Sequence, residues 1–335
     1  MQLSSAFLPQ GGKAEAFMGK GIQMYRYILK RILFLVPTIL GVTLIIYAVM
    51  NITPGDPAAA ILGPGTPEAD RIAYNDALGY NDPFLQKYVR YVKNMILEQD
   101  FGTSYVTKQN VFAEIWPRYV ITIELSFLGV FLAALIGIPL GIKSAVNQYT
   151  LWDTIPSLLA FFMAAFPAFV LGLILLYIFC LWLNILPSSG VGSFAHFIMP
   201  ALAISIPPAA QNFRFTKSSM LEAIRQDYVR TARAKGVPEK DVIWKHVLKN
   251  ALLPVVTQVG LSLGSLICGA VVAEKLFSVP GIGSLIVERI TYKDEPIIIA
   301  GTILISICFT LVMLLVDIIY AFIDPRIRAK YTNKR

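Results

Sequence analysis

Few side chains in this chain have the type and spacing for covalent or acid–base chemistry. His196 and His246 are the two histidines of 335 residues; both are isolated, without partners for a metal site or a Ser/His pair. Cys180, Cys268 and Cys308 lie inside apolar runs with neither paired nor metal-type spacing, which reads as buried, inert thiols. Glu124 and Asp317 are the acids within candidate spans. Both sit near a span boundary, where snorkelling or a local hydrogen bond makes a structural role the expectation. A phosphate loop of the form G-x-x-x-x-G-K-[ST] is missing, because Gly12-Lys13-Ala14 and Gly19-Lys20-Gly21 lack both the spacing and the hydroxyl. No catalytic, metal or cofactor site is expected, and the chain is read as not being an enzyme.

What remains is contact chemistry, concentrated in residues 214–249. Lys217–Lys235 reads as one helix ended by Gly236 as its left-handed residue. Val237-Pro238-Glu239 starts a second helix, with proline near its first position and acids in its first turn. Val242, Ile243, Val247 and Ala251 carry that helix's apolar stripe into the next span. A basic loop could serve topology alone, but topology requires only charge and not two capped helices. A structured lever joined to a membrane helix suits a protein driven by a cytoplasmic partner.

The elements that must hold this lever are membrane helices. Hydrophobic residues make up 56% of the chain and charged ones 15%, with a mean hydropathy of +0.63; soluble domains carry about 25% charged residues. A bilayer core needs roughly 20 apolar residues per helix. Runs free of Asp, Glu, Lys and Arg cover Ile32–Met50, Leu125–Ile142, Thr154–Phe213, Asn250–Ala273 and Pro296–Val316. The third is too long for one span and breaks at Leu186–Gly192, which gives helices near 155–184 and 197–213. The expected fold is an all-α integral membrane protein of about six transmembrane helices. With the N-terminus inside, the inner segments hold 20 Lys and Arg against 9 in the outer ones. This places both termini in the cytoplasm. Anionic lipid then accounts for the net charge of +8, and no nucleic acid is expected.

Residues 1–23 read as a flexible N-terminal extension, with Met24 a possible start of the membrane domain, which runs to 331 before a tail of 332–335. The outer loop 51–118 contains Asp82 as a helix cap before Pro83. An amphipathic helix follows, with Phe84, Leu85, Tyr88, Val89, Val92, Met95 and Ile96 on one face and Gln86, Lys87, Arg90 and Lys93 on the other. It is expected along the outer interface or on top of the bundle.

Gln226–Gly236 followed by Asn250–Pro254 closely resembles the EAA-type coupling segment of binding-protein-dependent ABC importer permeases, in particular those for dipeptides, oligopeptides and nickel. Pro54–Pro57, Asp100–Gly102, Phe166–Phe169, Phe277–Gly283 and the run from Leu315 to Arg328 are similar to that family in the same order. The long first outer loop resembles its "B"-type subunit. Where the general motif has Glu-Ala-Ala, this chain has Arg230-Thr231-Ala232. The resemblance implies a type I ABC importer permease in the bacterial inner membrane. Its implied partners are cytoplasmic ATPase subunits that bind ATP, a second homologous permease and an extracytoplasmic binding protein. It also implies that Tyr228, Arg230, Thr231, Ala232, Arg233, Ala234, Lys235 and Gly236 meet the ATPase, with Arg230, Arg233 and Lys235 facing either its acids or lipid headgroups. Pro167, Pro254, Pro280, Gly281 and Gly283 are the gate or hinge candidates. The implied solute is a di- or oligopeptide, with nickel, haem, glutathione or oligosaccharide as alternatives; a secondary transporter or channel is the more distant reading.

Overall fold

The computed structural model describes residues 11–323 except Pro64; the expected tail 332–335, residues 1–10 and the end of the last motif lie outside the described residues. The regular structure of the described chain is helix, with one isolated bridge between Thr103 and Asn110. Its first helix, α1 (Gly11–Ile52), begins inside the segment read as a loose extension and runs through the first span. It is peripheral: only 11% of its apolar window is buried, and Leu33, Phe34, Ile45 and Val49 point outward.

The outer segment folds as α2 (Pro57–Leu62), α3 (Glu68–Ala77) and α4 (Phe84–Lys93), the last extended by a wide turn over Asn94–Glu98. The Pro54–Pro57 motif is a folding device. Asp56 caps α2 by accepting from the Ala59 amide at 2.8 Å, while Asn75 and Arg71 of α3 donate to it at 2.9 and 2.5 Å. Burial pushes the Asp56 carboxyl upward, but these donors outweigh it and hold the group below its ordinary range. Asp82 does not cap α4. That position falls to Pro83, and Asp82 instead pairs with Arg90 at 2.5 Å.

The membrane helices are α5 (Val111–Val146), the pair α6 (Leu151–Ala165) and α7 (Ala168–Leu175), α8 (Phe194–Ile224), α11 (Leu248–Gly269) and α14 (Glu295–Ile323). Together with α1 they make about six. Four pass on length and hydropathy, as does the pair formed by α6 with α7 and its continuation to Trp182. The sixth, α8, is long enough at 31 residues but is interrupted by Pro200, Pro207 and Pro208. The expected helix over 155–184 is broken at the hinge candidate Pro167: α6 and α7 bend by 104° at Phe166-Pro167, where the missing proline amide and the extended residue before it end the helix.

The bundle is keyed by α5 against α8. Gly129, Ala133, Gly137, Gly141 and Ala145 recur every four residues, and all are buried. A β-carbon at Gly141 would stand 2.7 Å from Thr216, and one at Gly129 2.8 Å from Ile204. In lipid, where apolar surface gains little by leaving the solvent, such small-residue ridges supply the close van der Waals contact that joins helices. His196 is also structural. Its Nδ1 accepts from the Ser193 amide at 3.0 Å and secures the start of α8. Of the three thiols, only Cys308 is buried; Cys180 is half-buried and Cys268 exposed.

Candidate functional site

The lever forms at one end of the bundle. The expected single helix over 217–235 breaks, because Arg225 ends α8 and Gln226 turns extended before α9 (Asp227–Ala234). Gly236 takes φ +76°. The Val237 amide donates to the Ala232 carbonyl at 3.3 Å and the Gly236 amide to Arg233 at 2.9 Å, a paired C-terminal cap that needs a left-handed residue. The chain resumes as α10 (Glu239–Asp241), passes a wide turn over Val242–Val247 and enters α11.

One face of α9 is core. Val229 and Ala232 pack with Val242, Ile243, Val247 and Ala251, and with Met220, Ala223 and Ala145 from the ends of α8 and α5. The stripe read from the sequence is therefore correct, but Ala232 points inward and leaves the contact face. Tyr228, Arg230, Thr231, Ala234, Lys235 and Gly236 remain exposed. Arg233 is held by Glu239 through two bonds of 3.1 and 2.6 Å, which locks the hairpin; its guanidinium pKa rises accordingly. The ends of α8 and α11 above this core are joined as well, since Ser219 of α8 donates to the Ala251 carbonyl at 2.7 Å. Further along α8, Lys217 pairs with Asp153 of α6, which accepts from Ser144 of α5 at 2.5 Å.

Beside the α6–α7 break lies a cavity of about 450 Å³ between α8 and α11, lined by Ala168, Pro207, Pro208, Gln211, Gln258 and Ser262 among others. Gln258 donates to Gln211 at 3.0 Å. These amides escaped the sequence reading, which sought charges; two glutamines in runs otherwise free of charge were the available signal. Of the hinge candidates, Pro167 marks the break at this cavity, whereas Pro254 lies inside an unbroken α11.

Pro280 and Gly281 lie between α12 (Val271–Leu276) and α13 (Ile282–Thr291), and Gly283 is in the first turn of α13; the three wrap around Glu274. This buried carboxylate accepts from Thr122 of α5 at 2.6 Å and the Ser284 amide at 2.7 Å. Burial pushes its pKa up, opposed by those same bonds. Any side chain at Gly281 would overlap the carboxylate.

The start of α14 gathers buried charge. Asp294 accepts from the Ser104 hydroxyl at 2.5 Å and the Tyr105 amide at 2.9 Å; Arg289 meets Glu114 at 2.5 Å. Lys293 donates to the Met50 carbonyl at 3.2 Å and to Thr53 at 2.5 Å. Lys87, placed on the polar outer face of α4 by its periodicity, is buried and directed at Glu295. Leu85, Val89 and Ile96 are exposed instead. The helix is turned because Tyr88 and Tyr91 pack on Tyr47 of α1, and the Tyr88 hydroxyl reaches the Leu40 carbonyl at 3.1 Å.

A helical hairpin at the end of a bundle, with a largely apolar cavity that carries Gln211, Gln258 and Ser262, belongs to a chain that matches a known family along most of its length. Residues 137–329 match the binding-protein-dependent transport system inner membrane component, and residues 24–126 match the N-terminal part of that membrane component. The chain belongs to this family. It is an ABC importer permease subunit of the peptide/oligopeptide-type family. It is 40% identical over 307 residues to the glutathione transport system permease protein GsiC of Salmonella paratyphi A, spanning 92% of this chain and all of that one. The GsiC of Escherichia coli K12 is 38% identical over the same length. The permease also shares its fold with the inward-facing MetNI methionine ABC transporter, at a TM-score of 0.53 and 18% identity over 63% of this chain and 96% of that chain. The family is one of multi-pass inner-membrane components, and it implies ATPase and binding-protein partners.

Proposed function

We propose that this permease imports short peptides, glutathione among them, by alternating access, with ATP hydrolysed on partner subunits. The observation that carries the substrate reading is the 40% identity along the whole length of a glutathione permease. The cavity supports it, since Gln211, Gln258 and Ser262 offer neutral donors and acceptors suited to peptide amides. The exposed side of α9, from Tyr228 and Arg230 to Lys235 and Gly236, seats against the ATPase. Ala232 and Arg233 keep its shape. A second homologous permease completes the pathway, and a binding protein delivers solute on the opposite side. Both termini lie in the cytoplasm, as the distribution of Lys and Arg favours. Pro167, at the bend beside the cavity, is the hinge; Pro280, Gly281 and Gly283 hold the outer junction.

Reconstitution of the chain with ATPase, second permease and binding protein in proteoliposomes tests this reading. ATP-dependent uptake of labelled glutathione, competed by di- and tripeptides, is the expected result. Uptake by the chain alone, driven by an ion gradient, would overturn the mechanism. Competition only by nickel, haem or an oligosaccharide would overturn the substrate.

A further inference from the structure

A second cavity, of about 620 Å³, opens on the surface between the end of α5 and the turn that follows α9. That size falls within the range of roughly 300–1,000 Å³ typical of small-molecule sites. Its floor is apolar, built by Pro139, Ile142, Val146 and Ile243, and Trp244 stands half-exposed at its edge. The rim is different. Lys143 is the first charge after the apolar run of α5, and Lys240 projects from α10 on the facing side.

The charge at this rim is not balanced by its neighbours. Glu239, the acid at the cavity, is already engaged by both nitrogens of Arg233. Asp241, next along α10, is engaged by Lys245 at 2.9 Å. The Lys143 ammonium lies 3.0 Å from the centre of the Trp152 ring, a contact that leaves its charge uncancelled. No ion pair is found for Lys240 among the described residues. An apolar slot with two cations at one end sits where the apolar run stops, flanked by the exposed indoles of Trp152 and Trp244. Tryptophans of this kind collect at the level of lipid headgroups.

We propose that this groove binds an anionic phospholipid, its acyl chain along Ile142, Val146 and Ile243 and its phosphate between Lys143 and Lys240. A bare phosphate would leave the apolar floor wet, whereas a zwitterionic lipid would bring its own cation toward the two lysines. The site lies between α5 and the helix that continues from the coupling hairpin. A bound lipid therefore braces the element through which α9 pushes on the bundle.

Tryptophan quenching by lipids with brominated chains tests the assignment. The intact chain is placed in vesicles of brominated phosphatidylglycerol or brominated phosphatidylcholine, and Trp244→Phe isolates the signal of Trp244 by difference. Quenching at Trp244 is expected to favour phosphatidylglycerol several-fold, and the preference should vanish in Lys143→Gln/Lys240→Gln. Both lysines are exposed, so the doubly substituted chain should fold. Equal quenching by the two lipids would overturn the proposal. So would protection of Trp244 from both lipids once the ATPase is bound, which would make the groove a protein-docking surface.

Discussion

Lys87 and Glu295 are both buried and stand 3.9 Å apart, joining the outer helix α4 to the start of α14. The same lysine donates to the Tyr80 carbonyl at 2.9 Å and lies over the Tyr80 ring. Glu295 has an oxygen with no hydrogen-bond partner among the described residues, so its charge rests on the two lysines that act on it, Lys87 and Lys293. Removing one member of a buried pair costs about 3–5 kcal/mol, because the other is left uncompensated. Lys87→Met should therefore lower the unfolding temperature in detergent more than the combination with Glu295→Gln does. Equal losses in the single and double variants would show that the pair is not coupled.

The error over Lys87 shows where sequence periodicity stops being informative. The spacing of α4 identified a helix with two unlike faces and placed Lys87 on the polar one, for a helix along the outer interface or on top of the bundle. The helix is rotated so that Phe84 and Tyr88 still pack inward, while Lys87 meets the buried charges of 293–295 and Leu85 and Val89 are left outside. Around α9 the reading succeeded further. The stripe of Val242, Ile243, Val247 and Ala251 and the left-handed Gly236 are local properties of the chain. The break at Gln226 and the inward turn of Ala232 depend on the ends of α5 and α8, which no local pattern carries. Thr122 and Glu274 are 152 residues apart, and their meeting could not be read from spacing.

At Gly236 a β-carbon would meet nothing within 4 Å, so substitution there costs only the left-handed backbone, about 1–2 kcal/mol for an ordinary L-residue. Gly236→Asn, which tolerates this conformation, should fold normally. Gly236→Asp adds a negative charge to a face of cations and should also insert, while uptake and the coupled rise in ATP hydrolysis are lost. Wild-type uptake by Gly236→Asp, measured in vesicles with the partner subunits, would remove this face from the ATPase contact.

Gly281 presents the opposite case. Its missing side chain makes room for the Glu274 carboxylate, which in turn caps α13 through Ser284. Gly281→Ala overpacks that site, a change that costs about 1–3 kcal/mol, and should reduce thermal stability along with expression. Glu274→Gln keeps the volume and should be milder, since its amide oxygen can accept from the Ser284 amide while its NH2 donates to the Thr122 hydroxyl, which then bonds the Arg118 carbonyl. A Gly281→Ala protein as stable as the parent, but with slower transport, would instead make this junction a moving gate.

The pair Gln211 and Gln258 separates solute handling from coupling. Both amides line the cavity near the α6–α7 bend, and neither touches the hairpin around α9. Gln258→Leu retains bulk but removes a donor and an acceptor, and a neutral hydrogen bond contributes about 1 kcal/mol, or roughly a five-fold change in an equilibrium. In the reconstituted importer this substitution should raise the KM for peptide uptake several-fold while ATP hydrolysis stimulated by the loaded binding protein is unchanged. A variant that loses stimulation together with uptake would show that the pair supports the closing motion; one with unaltered KM would place the path elsewhere. The discrimination rests on the Gln258 side chain, which among the described residues bonds to Gln211 and Ser262 and not to the side chains of the core beneath α9.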